Sequence, residues 1–356
     1  MDVFTELTQA LDGSGPAAAV NLLIEHLAQE HRWAEWFQAR LMRTRLELGS
    51  LPDAVQIDIA REAGKRYLDD TEILRAWPYF RAIGEHQPVI DAIGNLEPDK
   101  FTEEILKLSF QERLNPKKAL ELLLATNGIC RAITVFDQYP DPATWEDALS
   151  LITRALYQEL QQNLKRAIAT EETSSVRELI VGREWLFGEY DSYVDASHLF
   201  GVLRLAIESA NPETLRLALE MAEYGCCLSA TFQTTGPPPF DDYCPDHAVY
   251  LKALLGQNVD AAIDHFRQKT ASAEVLVRLL LRVGRPGEAI EVFEQSLLDR
   301  DPSFLSCPDL PELCRQAGDF ERLQKLSRNR NDPVGFLQAT LLSRESSAAP
   351  PIRSQS

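Results

Sequence analysis

The stretch 240–250, FDDYCPDHAVY, gathers Asp241, Asp242, Cys244, Asp246 and His247 behind the run Pro237, Pro238, Pro239. Carboxylate, thiolate and imidazole groups are the ligands of hard and borderline metals. Cys226 and Cys227 lie upstream, so the candidate ligand set is Cys226, Cys227, Cys244 and His247, spaced CC-x16-C-x2-H. Zinc sites more often use separated pairs such as C-x2-C, because adjacent cysteines point their thiols apart. The chain also offers a second copy for comparison. Cys244-Pro245-Asp246 recurs as Cys307-Pro308-Asp309, where Leu310 takes the place of His247. Each copy precedes a segment ending at a glycine, Gly256 or Gly318. An aspartate there can accept a free N–H of a first helical turn, and the proline discourages helix before it. The expected role of the stretch is therefore helix entry with buried thiols, and a bound metal is the alternative.

Other constellations fail on spacing. His26 and His31 stand five apart, about 140° around a helix, whereas a helical zinc pair needs four. Gly13, Gly15 and Ala18 fit G-x-G-x-x-A, but that dinucleotide pattern must follow a strand and TELTQALD reads as helix. Asp69, Asp70 and Glu72 lack the spacing of a metal-diphosphate motif and read as a solvated turn. No G-x-S-x-G and no phosphate-binding loop is found. No catalytic residue is assigned and no cofactor is expected.

The elements that must position these residues are helical. Leu149, Ile152, Leu156, Leu160, Leu164 and Ile168 form one stripe along a helix of about 25 residues. Helix entries are marked by Gly15-Pro16, Pro52-Asp53, Asn115-Pro116, Pro142, Asn211-Pro212 and Arg285-Pro286. Trp33, Trp36 and Phe37 fall on a helix packed against Val20, Leu23 and Leu27. A helix is expected over 175–187, and Pro78 is expected to interrupt the helix around it. Sustained alternation of apolar and polar residues is absent, so the fold class is all-α.

A period underlies the helices. Residues 270–303 carry Leu276, Leu280, Gly284, Ala289 and Phe293, and 34 residues on Leu310, Cys314, Gly318 and Leu323 keep those offsets. Residues 57–90 carry Gly64, Tyr67, Ala76, Phe80 and Pro88. This pattern resembles the tetratricopeptide repeat, whose 34-residue unit pairs two helices. Thr71 stands where that unit usually has its turn glycine, Val277 replaces a small residue, and Gly256 precedes Gly284 by only 28 residues. The resemblance covers about two-fifths of the chain. It implies a right-handed α-solenoid of antiparallel helix hairpins, a TPR-like superhelix that binds partners in a concave groove. Carried over residue by residue, the groove face holds Arg61, Lys65, Arg278, Arg282 and Arg315. Guanidinium groups suit carboxylates. Pairing of these residues with nearby acids such as Asp58, Glu274 or Glu312 is the plainer expectation.

Read this way the chain divides into 1–140, N-terminal repeats; 141–227, long irregular helices; 228–245, a Pro-rich loop; 246–342, C-terminal repeats; and 343–356, a disordered tail. The net charge of −18, from 54 acidic and 36 basic residues, repels phosphate backbones and disfavours nucleic acid as a partner. No apolar run is expected to span a bilayer, and the acidic start MDVFTELTQALDG does not read as a secretory signal, which points to the cytoplasm. The six cysteines are expected to be reduced and mostly buried. The expected function is a non-enzymatic adaptor or scaffold that holds an acidic or carboxylate-bearing segment of another protein in its concave groove. The alternatives are a helical metalloenzyme or zinc-stabilised protein built on 226–247, and a structural subunit of a larger assembly.

Overall fold

One turn recurs between helices. The computed structural model describes residues 2–172, 174–236, 239–269 and 273–348. In it His31, Thr71, Gly284, Gly318 and Asn331 take left-handed backbone, with φ from 53° to 76°. The next N–H in each case reaches back to close the helix end: Arg32 to Leu27, Glu72 to Tyr67, Arg285 to Leu280, Asp319 to Cys314 and Asp332 to Ser327. This closure satisfies carbonyls that a helix end leaves open. Arg32, Glu72, Arg285 and Asp319 are also the N-caps of the helices that follow. One helix stops and the next starts after two or three residues, so the pair must fold back on itself.

The chain forms two compact units, Met1–Ile152 and Thr153–Ser356. The first holds α1 (Val3–Ser14), α2 (Pro16–Gln29), α3 (Trp33–Leu48), α4 (Asp53–Asp69), α5 (Ile73–Ala82), α6 (Gln87–Gly94), α7 (Glu103–Gln111) and α8 (Pro116–Phe136). The division falls inside α9 (Trp145–Ile168). The second unit continues with α10 (Val176–Ile180), α11 (Ala196–Ala206), α12 (Pro212–Cys227), α13 (Tyr243–Leu254), α14 (Val259–Gln268), α15 (Ala273–Arg282), α16 (Pro286–Ser296), α17 (Leu310–Ala317), α18 (Phe320–Asn329) and α19 (Pro333–Ala348). No strand occurs among the described residues. Within each unit, packing runs between consecutive helices and between helices two apart, such as α4 with α6 and α13 with α15.

In the first unit Trp33, Trp36, Tyr67, Trp77 and Phe80 share one core with Leu27, Ile59, Val89 and Ile93. The tryptophans of α3 are thus packing residues, and Arg66 lies over both rings at 5.0 and 4.5 Å. The α4–α5 crossing depends on a missing side chain. A Cβ on Gly64 would stand 2.7 Å from the ring of Phe80. The leucines of the α9 stripe are fully buried from Leu149 to Leu164, and Ile168 is half-buried.

Several expectations need correction. Helix α5 runs through Pro78 without a break. The ring costs one backbone bond, but Ala76, Trp77 and Phe80 are buried around it and hold the helix. The helix expected over 175–187 ends at Ile180, where Gly182 turns left-handed, and a single 3₁₀ turn follows at Glu184–Leu186. Residues 343–348 belong to α19, not to a tail; 349–356 lie outside the described residues, as do Pro237 and Pro238 of the proline run. Cys130, Cys226 and Cys227 are exposed, so only half of the cysteines are core residues. Among the described residues one helix, α8, is long and apolar enough to cross a membrane by length and composition. Gly128 breaks its backbone at φ 76° and ψ −177°, and Leu120, Leu123, Ala132 and Phe136 are buried in the fold.

Candidate functional site

The FDDYCPDH stretch enters α13, but not by the route its aspartate suggested. The N-cap is Asp242, and Asp246 sits one turn inside the helix with no exposed surface. One oxygen of its carboxylate accepts the backbone N–H of Asp242 at 2.9 Å and the ammonium of Lys269. The other takes Nε2–H of His265 at 2.7 Å, since a carboxylate can only accept. Asp241 and Asp242 stand 4.0 and 3.8 Å from the same ammonium. A buried carboxylate needs such partners, because an unpaired charge inside a fold costs several kcal/mol. The second copy behaves as the sequence suggested: Asp309 caps α17 by accepting the N–H of Glu312 at 3.0 Å.

The four residues of the metal alternative are not assembled as a ligand shell. His247 lies between Phe240 and Tyr243, with ring centroids 4.4 and 4.3 Å away, and its Nδ1 is bonded to the Tyr243 carbonyl at 2.7 Å. Burial pulls this imidazole down to about 4. Cys244 packs on the bare backbone of Gly225 in α12, where a Cβ would come within 2.3 Å of its sulfur. Burial pushes its thiol up to about 12, opposite to what ligation or nucleophilic attack requires. Among the described residues no three His, Cys, Asp or Glu side chains gather closely enough to hold a metal ion.

The basic positions are placed on two units. Arg61 donates three bonds to Glu85 and one to Asp58, and the Glu85 bonds raise its basicity most. Lys65 is exposed one turn further along α4. In the second unit α15 brings Arg278 and Arg282 to the C-terminal end of α11. Arg278 pairs with Glu208, and Arg282 donates to the carbonyls of Ile207 and Ser209. Cations suit that end of a helix, where the unmade carbonyl bonds concentrate negative charge. Arg315 pairs with Glu312 in its own helix. The expected pairings with Asp58 and Glu312 therefore occur. Glu274 instead accepts from Arg300 and Ser306.

Sequence reasoning missed Lys269 and His265 as partners of Asp246, because they lie 23 and 19 residues away, at the C-cap and in the last turn of α14. It missed Glu208 for the same reason. The other motifs resolve into local structure. His31 bonds to Asp70 at 2.8 Å, and the Trp33 indole donates to the same carboxylate, so the DD-x-E segment ties α4 to the start of α3. Gly13 lies in the last turn of α1 and Gly15 links that helix to α2, so a helix and not a strand precedes the motif. No family model, curated protein or solved structure matches the chain.

Proposed function

We propose that this chain is a TPR-like helical-repeat adaptor: a right-handed solenoid of antiparallel hairpins that captures a segment of another protein. The α4–α5 hairpin carries the reading. Gly64 admits the Phe80 ring, Ala76 is fully buried and Tyr67 nearly so, which is the packing that the small–aromatic spacing of the repeat requires. Ala289 and Phe293 are buried at the matching offsets of α16. The shared turn after α2, α4, α15, α17 and α18 supports the same reading, since a repeat reuses its connection as well as its helices.

The partner chemistry proposed is a carboxylate-bearing segment at Arg278. That guanidinium is three-quarters covered and pairs with the more exposed Glu208, so an incoming carboxylate would replace Glu208. Arg282 is the wrong position to test, because it holds backbone carbonyls of α11. The test uses an array of short peptides with free or amidated C-termini. Free carboxylates should be retained, more strongly by Glu208→Gln and about tenfold less by Arg278→Glu, with the helical circular dichroism unchanged. Retention that ignores both substitutions would remove the carboxylate reading.

A further inference from the structure

The segment between α10 and α11 exposes apolar side chains on a backbone that is firmly held. Val181, Trp185 and Tyr190 are 68%, 65% and 75% exposed. Floppiness does not explain it. Arg183 donates to the carbonyls of Glu178 and Leu179 at 2.8 and 3.0 Å. The Tyr193 hydroxyl donates to Leu186, and the Tyr224 hydroxyl accepts the N–H of Tyr193 at 2.8 Å. Gly182, at φ 69°, makes the turn that sends Val181 outward. Beside this segment opens a recess of ≈ 710 Å³, walled by Ile180, Val181, Phe187 and Cys227 on its apolar side and by Glu184 and Glu223 on its acidic side. The volume lies within the range of ligand-binding clefts.

The surroundings are acidic in sum, although Arg177 also lines the recess. Residues 171–195 contain seven acids and two arginines. Both arginines are spent internally, Arg183 on the carbonyls above and Arg177 on Glu223 at 2.7 Å. Lys252 is also drawn to Glu223, at 3.2 Å. Glu184 and Glu189 are exposed, and no cation pairs with either among the described residues. Rigid aromatic and aliphatic groups beside two unneutralised carboxylates, Glu184 and Glu189, are complementary to a cationic segment that carries apolar anchors.

We infer that the recess between α10, the Glu184–Leu186 turn and the end of α12 docks a lysine- or arginine-rich amphipathic segment of another protein, its apolar face on Val181, Trp185 and Phe187 and its cations on Glu184 and Glu189. This proposal needs neither the repeat reading nor Arg278, and it stands or falls separately from them.

The probe is an amidated amphipathic peptide of lysine and leucine, about five helical turns long, with a glutamate–leucine peptide as its counterpart. The readout is maleimide labelling of each cysteine in the full chain, resolved by mass spectrometry. The lysine peptide should protect Cys227, which lines the recess, while leaving exposed Cys130 at its original rate. Trp185→Ala and Glu184→Lys, both at exposed positions, should each weaken that protection about tenfold or more. Equal protection by the glutamate peptide, or protection indifferent to both substitutions, would overturn the proposal. So would protection of Cys227 without peptide that grows with protein concentration, since a second copy of the chain would then be the occupant.

Discussion

Between the rings of Phe240 and Tyr243, the imidazole of His247 is kept neutral by burial, with its pKa drawn from 6.5 to about 4. The sign of the consequence follows from which state binds the proton. The unfolded chain protonates His247 as pH falls through 6.5 while the folded chain resists until about 4. Stability from this residue is therefore intact above pH 6.5 and is lost on the way down to 4, by about 3 kcal/mol over the whole interval. His247→Phe keeps a ring in the stack and removes the titration. Urea midpoints measured from pH 7 to pH 4 should fall less steeply for the variant than for the parent chain. Parallel profiles would mean that the imidazole is not held neutral. Its neighbour Asp246 is the opposite case, a charge kept inside the fold because Lys269, His265 and a backbone N–H all meet it.

Five of the hairpins depend on a turn of two or three residues, and in one of them a β-branched residue takes the left-handed position. Thr71 holds φ 65° where Gly284 and Gly318 hold 76° and 69° in the equivalent connections. Left-handed backbone presses a Cβ toward the following carbonyl, at roughly 1–2 kcal/mol, and a β-branched side chain is the least suited to it. Glycine relieves that contact but makes the unfolded chain freer, which offsets part of the gain. Thr71→Gly should therefore stabilise the first unit by about 0.5–1 kcal/mol, visible as a higher thermal midpoint. A lower midpoint would show that the Thr71 side chain contributes more than its backbone costs. The turn was half-legible in advance. The glycines at 284 and 318 announced it, whereas His31, Thr71 and Asn331 reach the same conformation without glycine and could not be recognised by type.

For the molecule as a whole, the net charge of −18 sets the classes of ligand that approach it. The cations of the proposed groove do not form a free basic surface: Arg61, Arg278, Arg282 and Arg315 are engaged with acids or carbonyls of the same chain. A polyanion thus meets net repulsion, and the protein should pass unretained through a heparin column at about 50 mM salt. Retention that elutes with rising salt would reveal a basic surface that these pairings do not account for.

The sequence by itself determined that the chain is all-α, where most helices begin, and which stripes are buried, because helix periodicity, proline at the first turn and capping side chains act within a few residues. It also carried the spacing of Gly64 and Phe80, whose contact the fold realises. Only the tertiary structure decided the partners of Asp246 and of Arg278 and the packing of Cys244 on Gly225. Those depend on which helix end arrives from tens of residues away, and charge pairing and burial across such distances leave no local pattern. The same holds for the recess beside Trp185. Its apolar residues read as one more helix in the sequence, and only the early end of α10 at Ile180 turns them outward.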